Sequence, residues 1–502
     1  MRYLFDKKKE IYFLIITLSL LLFFFIRSIF YFTHTYDAAH HGLIFNNGLE
    51  ILNGKLPYKE IFIQYGILHD LLNSFFLFIF KKDIIAIYIS TSIYYFSSIF
   101  IIGLISKQIS NFYYLIFAIF IFLFNHPLPE LPWSNYLAFL FLCFSIYFFN
   151  LENKKKLFLS GFLLSLSILS RENFYYFVLP TFIFINSLIY YYKRDFRINF
   201  LLIISFLIPI IFFLIYLFIN NLFLDWLNYQ KLPFIYIESY ENNFFQLFYD
   251  FINYFIFEAI FNITNQPQYI VILLIILFNF LTLIEQLFFL KNKNLKIIFI
   301  CVVCLSSFIV SINLEIFRLY TSIAIGLPII FFRIFSYIKN ENKFILIFIL
   351  LFISTYSVFF FPKGNIKHYN NINFQDSYTN KNFKFFKFQK WEKHDWELLN
   401  KVDEINNLII NKCKINYVLN MTPNAFILII SNYNKIQITP HFTQHLGTEF
   451  NYVLQKDFKQ DLINKIKNNN IIIYSMENNI LLIKEFMNDY EIYKNIQIKR
   501  LK

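Results

Sequence analysis

Long apolar runs alternate with short polar connections along this chain, and the lengths of the runs predict its architecture. A bilayer core about 30 Å thick needs about 20 apolar residues per helix. By that measure the expected spans cover residues 11–32, 84–105, 110–125, 135–150, 157–170, 173–192, 198–219, 268–290, 297–313, 316–334 and 344–361. The run that starts at residue 157 is expected to continue past Arg171. The pattern predicts a polytopic α-helical membrane protein with about 11 transmembrane helices.

Some apolar stretches carry too many polar residues to be spans. Residues 67–80 and 244–261 are predicted to be helices that lie at the outer membrane interface. Phe45, Leu49 and Leu52 recur at helical spacing in a third such helix, which the following glycine and proline should end.

The composition changes at residue 362, where the chain becomes polar and its apolar runs become too short to span a membrane. The runs NYVLN, AFILIIS and NIIIYS are predicted to be buried strands. A helix is expected within residues 391–411, with one apolar face formed by Leu398, Val402, Ile405 and Leu408. We therefore predict a transmembrane domain over residues 1–361, with a large first outer loop at 33–83, and a small extracytoplasmic α/β domain over residues 362–502.

Composition and charge agree with this architecture. Of the 502 residues, 58% are hydrophobic and only 15% are charged, which is typical of a membrane protein. Lysine and arginine cluster in every second connection, and such clusters stay in the cytoplasm. This predicts a cytoplasmic N-terminus, with the first loop and the C-terminal domain outside. The net charge of +13 does not form the basic, aromatic-interleaved face of a nucleic-acid binder.

The first outer loop holds the main candidate chemistry. Four of the nine glycines lie between residues 35 and 70, together with Asp37, His40 and His41. Asp37 directly follows the first span and could act as a general base towards a hydroxyl or an amine. It could equally cap a helix, and position alone leaves both readings open. The two histidines could orient this carboxylate or bind a divalent cation with it, although the set is an incomplete metal shell.

Further charged residues fall at the predicted outer ends of spans. Arg171 precedes Glu172, and Arg318 follows Glu315 by one helical turn. The guanidinium fork suits phosphate oxygens, and the alternative for each arginine is an ion pair with an acid. Glu130, in a proline-rich connection, is a candidate second carboxylate or part of an ordinary rigid loop.

The order of these features resembles a known family. A first span, an acidic residue at the start of a large outer loop and then the sequence LNGKLPYKEIFIQYGIL resemble the GT-C superfamily of integral-membrane glycosyltransferases. The similarity is to family 39-like bacterial members, related to protein O-mannosyltransferases and to the lipid A aminoarabinose transferase. The residues at the family's loop-motif positions are Pro57, Tyr58, Lys59, Glu60, Gln64, Tyr65 and Gly66. Ile67 replaces the proline that usually follows, and Ala38 and Ala39 replace the second loop carboxylate of the eukaryotic branch.

The resemblance implies a GT-C-like fold and transfer of a sugar, with inversion, from a polyprenyl-phosphate donor at the outer face of the bacterial inner membrane. Asp37 matches the position of the base, and Arg171 resembles the donor-phosphate contact. Arg318, which is placed like Arg171 in the sequence, is a second candidate for the donor phosphate. The acceptor would be a lipid, a polysaccharide or a protein, and no metal ligand set is assigned. The alternative function is a transporter or flippase of lipid-linked sugars. Such proteins usually place ionisable residues near the membrane midplane, whereas these candidates gather at one face.

Overall fold

The computed structural model describes residues 2–34, 40–61, 63, 66–110, 118–119, 121–123, 131–230, 249, 253, 268–307, 321–337, 378, 385–387, 389–391, 393–405, 417–421, 436–437, 471–475, 490–493 and 496–499. The α-helices in these ranges are α1 (Arg2–Phe32), α2 (His40–Leu52), α3 (Ile67–Ile79), α4 (Ile85–Ile109), α5 (Ser134–Phe148), α6 (Lys154–Ser170), α7 (Tyr175–Lys193), α8 (Phe196–Ile219), α9 (Phe223–Tyr229), α10 (Gln268–Ile284), α11 (Leu295–Ser306), α12 (Leu327–Tyr337) and α13 (Lys393–Ile405). Shorter 3-10 turns cover Glu172–Phe174 and Ala324–Gly326, and a π-helical turn covers Glu285–Phe289.

Among the described residues, five helical segments are long and apolar enough to cross a membrane. They are Leu14–Phe32, Ile85–Ile109, Glu172–Lys193, Phe196–Ile219 and Ile270–Phe289. Each coincides with a predicted span, so the chain is a multi-pass membrane protein. The predicted spans at 110–125 and 344–361 lie largely or wholly outside the described residues.

Local sequence explains where several helices begin. Asn153, Asp195 and Asn294 precede α6, α8 and α11, and each side chain accepts a hydrogen bond from a backbone N–H in the first turn. These side chains satisfy amides that have no partner within the helix.

Small residues bring the central helices close together. The hydroxyls of Ser145 on α5 and Ser160 on α6 each donate to the other residue's carbonyl at 2.8 Å. Gly161 faces α8 so closely that a Cβ there would lie 2.8 Å from the carbonyl oxygen of Leu202. Such contacts are typical of packing in a bilayer, where small residues let backbones approach. They fix α6 between α5 and α8.

The end of α6 differs from the sequence expectation. The helix stops at Ser170, Arg171 has an extended backbone (φ −148°, ψ 113°), and the 3-10 turn follows before α7 begins. The expectation that this helix continues past Arg171 is therefore wrong. The break lets the side chains of Arg171 and Glu172 bond to different segments of the chain.

Helix α3 has the reverse of the usual amphipathic pattern. Its polar residues, including His69, Asp70 and Asn73, are buried, whereas Phe75 and Phe78 are exposed. A helix with polar groups inside and apolar groups outside is compatible with the interfacial position predicted for residues 67–80, which remains a prediction.

The described strands near the C-terminus form one mixed sheet. They are β1 (Tyr417–Met421), β2 (Ile436–Gln437), β3 (Ile471–Ser475), β4 (Tyr490–Tyr493) and β5 (Ile496–Lys499), in the order β2-β1-β3-β5-β4. The β1 strand is parallel to β2 and β3, and β5 is antiparallel to β3 and β4. The strands predicted at NYVLN and NIIIYS are confirmed, whereas AFILIIS lies outside the described residues.

Helix α13 packs against α2 and the start of α4. Leu399 and Val402 are fully buried in a cluster that also contains Phe45 of α2 and Ile84 before α4. Leu399 takes the core position expected of Leu398, which is half-buried. The domain division at residue 361 remains a prediction.

Candidate active site

The PYKE motif forms a closed turn in the loop between α2 and α3, which the sequence predicts to lie outside. The backbone N–H of Leu56 donates to the Glu60 carboxylate at 2.8 Å, and the Glu60 N–H donates back to the Leu56 carbonyl at 2.9 Å. Tyr58 donates its own N–H to the carbonyl of Ile61 at 3.1 Å. This geometry gives Tyr58 a positive φ of 69°, which is costly for a residue with a Cβ. Lys59 and Glu60 are exposed on the turn.

The Tyr58 side chain compensates for the strained backbone by bonding across the protein. Its ring is 2% exposed, and its hydroxyl donates to Oε1 of Glu172 at 2.8 Å. The other oxygen of Glu172 accepts a hydrogen bond from Nε2 of Gln230, just after α9. Burial, and secondly the Glu172 charge, raises the pKa of Tyr58 well above its usual value, so the hydroxyl stays a donor.

A second contact fixes the returning end of the loop. Gly66 lies so close to the end of α6 that a Cβ would approach the carbonyl oxygens of Ser170 and Leu169 to 2.6 and 2.7 Å. Because these neighbours are backbone atoms, they could not move aside easily. The loop is therefore held at Tyr58 and at Gly66 against the turn that carries Arg171 and Glu172.

Arg171 lies beside the start of α5. Its side chain is buried, and its Nη1 donates to the Ser134 hydroxyl at 3.1 Å. Trp133 is the residue before Ser134, and its ring centroid lies 6.0 Å from that of His40, the first residue of α2. His40 and Arg171, which are 131 residues apart in the sequence, thus both contact the pair Trp133–Ser134.

His41 points in another direction and packs among aromatic rings. Its ring centroid is 5.6 Å from that of Phe32 and 5.4 Å from that of Tyr88, both in edge-on geometry. His41 is 1% exposed and His40 is half-buried, so their environments differ.

Asp37, Gln64, Tyr65, Glu130 and Arg318 lie outside the described residues. By sequence, Asp37 is three residues after His34 and three before His40, both of which are described. Within the described ranges, no three His, Cys, Asp or Glu side chains group as a metal site would require.

The sequence did not indicate the polar residues that connect α3, at the end of this loop, to α2 and α4. Asn47 of α2 donates to Asp70 of α3 at 3.1 Å, and the Ser90 hydroxyl of α4 donates to Asn73 of α3 at 2.8 Å. His69 lies in the same network, within 3.6 Å of the Asp70 carboxylate. The only feature of the sequence that pointed to them was the presence of polar residues in the apolar stretch 67–80. It predicted an interfacial helix but did not predict which residues these side chains would bond to. Gln230 and Ser134 gave no signal at all.

Comparison with known proteins gives little sequence similarity. No protein-family model matches the chain, and no curated protein matches it. Among solved structures, the chain is similar to ArnT from Cupriavidus metallidurans in two crystal structures, one bound to undecaprenyl phosphate and one in the apo state. The TM-score is 0.44 for both, with 8% and 9% sequence identity, and each alignment covers 97% of both chains.

Proposed function

We propose that the protein is a membrane glycosyltransferase that moves a sugar from a polyprenyl-phosphate donor to an acceptor at the outer face of the membrane. The observation that carries the proposal is the shared contact of His40 and Arg171 with Trp133–Ser134. It joins the helix that follows Asp37 to the arginine expected to bind phosphate. The loop motif contributes by docking on the same turn through Tyr58 and Gly66.

The surroundings of Arg171 suit an anion. Its guanidinium bonds to Ser134, the first residue of α5, so a buried cation lies at the N-terminus of a helix of 15 residues. That first turn contains no acidic residue. A helix N-terminus favours negative charge, and an arginine fork matches a pair of phosphate oxygens. Both features would stabilise a lipid phosphate and the charge that it gains as it leaves.

The proposed reaction is a single inverting displacement. Asp37 takes the proton of the acceptor hydroxyl or amine, the acceptor atom bonds to the anomeric carbon, and the bond to the phosphate oxygen breaks on the opposite side. The electron pair leaves with the polyprenyl phosphate, whose charge Arg171 and Arg318 neutralise. A general base contributes about 10²- to 10⁴-fold to the rate. Tyr58 and Glu172 hold the loop in place, and neither transfers a proton in this reaction.

Transfer of a radiolabelled sugar tests the proposal. Purified protein in lipid vesicles is supplied with polyprenyl-phosphate sugars and a crude membrane acceptor fraction. We expect label to reach an acceptor with the wild type, a loss of about 10²-fold or more in turnover for Asp37→Asn, and retained donor binding. Glu152→Gln is the matched control, because Glu152 is an exposed carboxylate in the turn between α5 and α6.

Arg171→Gln should have the complementary effect. Its donor affinity should fall, whereas Arg197→Gln, a first-turn arginine of α8 on the predicted cytoplasmic side, should bind donor as the wild type does. Full activity of Asp37→Asn would refute the role of Asp37. Movement of the donor across the bilayer without any transfer of label would favour the flippase.

A further inference from the structure

Aromatic rings connect two described residues that flank the segment carrying Asp37. Phe32, the last residue of α1, and His41, the second residue of α2, have ring centroids 5.6 Å apart. Tyr88 of α4 packs on both, stacked on Phe32 at 5.0 Å with an interplanar angle of 3° and edge-on to His41 at 5.4 Å. Tyr88 therefore contacts the residues on both sides of segment 33–40.

The C-terminal part of the chain bonds to the same region. The Tyr88 hydroxyl donates to the side-chain oxygen of Gln389, which is 1% exposed and 301 residues away in the sequence. The backbone N–H of Lys390 donates to the carbonyl oxygen of Thr33 at 2.9 Å, directly after α1. A third bond, from the N–H of Ile84 to the carbonyl of Phe385 at 3.0 Å, fixes the same stretch to the start of α4.

The same C-terminal stretch also packs into the hydrophobic core around α1, α2 and α4. Phe385, Phe386 and Trp391 are buried in one cluster with Phe32 and Tyr88. The ring of Phe386 lies 5.5 Å from those of both Phe45 on α2 and Trp391. Large aromatic side chains supply most of the packing energy at such contacts, and the buried Tyr88–Gln389 bond adds directional specificity.

We propose that Phe385, Phe386, Gln389, Lys390 and Trp391 form a positioning element for the segment that carries Asp37, acting through Tyr88 and Thr33. The inference rests on the proposed function, because it assigns the element to the base of that reaction. A base must lie within hydrogen-bond reach of the acceptor proton, and a misplacement of about 1 Å can cost about 10²-fold in rate. The described contacts hold Thr33, directly after α1, and Tyr88, whose ring packs on Phe32 and His41 at the two ends of the stretch between α1 and α2. The C-terminal residues would therefore act on the rate by positioning the proposed base.

Two substitutions each remove one hydrogen bond from the proposed contact. Tyr88→Phe keeps the aromatic packing and removes only the donor to Gln389. Lys390→Pro removes the N–H that bonds to Thr33, whereas Lys390→Ala keeps that N–H and is its matched control. Tyr190→Phe, which removes an exposed hydroxyl on α7, is the control for Tyr88→Phe.

Steady-state transfer kinetics distinguish positioning from general stability. We expect kcat to fall about 10-fold in Tyr88→Phe and about 10- to 100-fold in Lys390→Pro, with the KM for the lipid donor unchanged because Arg171 is not disturbed. Tyr190→Phe and Lys390→Ala should keep the wild-type kcat. If Lys390→Pro fails to fold, Gln389→Leu replaces it as the reciprocal change to Tyr88→Phe.

The outcomes separate the two hypotheses. Wild-type kcat in Tyr88→Phe, Lys390→Pro and Gln389→Leu, together with an inactive Asp37→Asn, would overturn the positioning role and leave the proposed function standing. A raised KM with unchanged kcat would also overturn it, since the element would then act on donor binding. An active Asp37→Asn would instead refute the proposed function itself.

Discussion

Tyr58→Phe should loosen the loop between α2 and α3, because the Tyr58 hydroxyl provides a directional link between that loop and the turn after α6. The substitution keeps the ring among Phe213 and Tyr229 and removes the 2.8 Å bond to Glu172. The backbone at position 58 keeps its φ of 69°, which costs about 1–2 kcal/mol for a residue with a Cβ. Without the bond, that strain is less well compensated.

The size of the effect follows from the kind of bond that is lost. A hydrogen bond to a charged group contributes about 1.5–3 kcal/mol when one partner is removed. The opening free energy of the loop should fall by about that amount. At about 1.4 kcal/mol for each factor of ten, the open population should rise about 10- to 150-fold.

Limited proteolysis measures this opening directly. Lys59 is exposed beside the motif, and trypsin cuts after it only when the turn opens enough to fit the protease. When opening and closing are faster than cleavage, the cutting rate follows the open population. We expect the rate of cleavage at the Lys59–Glu60 bond, followed by mass spectrometry, to rise about 10- to 150-fold in Tyr58→Phe. Tyr175→Phe, at an exposed tyrosine near Glu172, should not change it.

A double-mutant cycle isolates the bond. Glu172→Gln keeps an oxygen that can accept from Tyr58 but removes the charge, so Tyr58→Phe should cost only about 0.5–1.5 kcal/mol in that background. An unchanged cleavage rate in Tyr58→Phe would refute the reasoning, because it would show that packing alone holds the loop. Equal costs in both backgrounds would show that the Glu172 charge does not strengthen the bond.

Two further predictions concern the end of the loop and the start of segment 33–40. Gly66→Ala should lower the free energy of unfolding by about 1–3 kcal/mol, because its Cβ would lie 2.6 Å from the Ser170 carbonyl; a wild-type thermal midpoint in detergent would contradict this. Burial, opposed by a bond to Phe30 and reinforced by the Lys390 charge, lowers the pKa of His34 from its usual value of about 6.5. The unfolded chain then binds more protons, so the stability due to His34 is present above about pH 6.5 and is lost as the pH falls through the native pKa. Unfolding midpoints from pH 5 to 8 should fall more steeply on the acid side in the wild type than in His34→Gln; parallel curves would exclude the effect.

The sequence by itself determined the features that depend on local physics. Apolar run lengths predicted the five long membrane helices of the described residues, and asparagine or aspartate caps mark the starts of α6, α8 and α11. The glycine at position 54, with a φ of 86°, ends the α2 region as expected. These signals lie within a few residues of the elements that they control, because helix length, capping and turn conformation are short-range properties.

Only the tertiary structure decided which side chains meet. Tyr58 bonds to Glu172 across 114 residues, and Tyr88 bonds to Gln389 across 301. The apolar pattern also predicted that α6 continues past Arg171. In the structure the helix ends at Ser170, and Arg171 and Glu172 bond to α5 and to the loop between α2 and α3. Such pairings depend on how each helix is rotated and how closely its neighbours approach. Those quantities are set by the packing of the whole bundle, so no single stretch of sequence contains them.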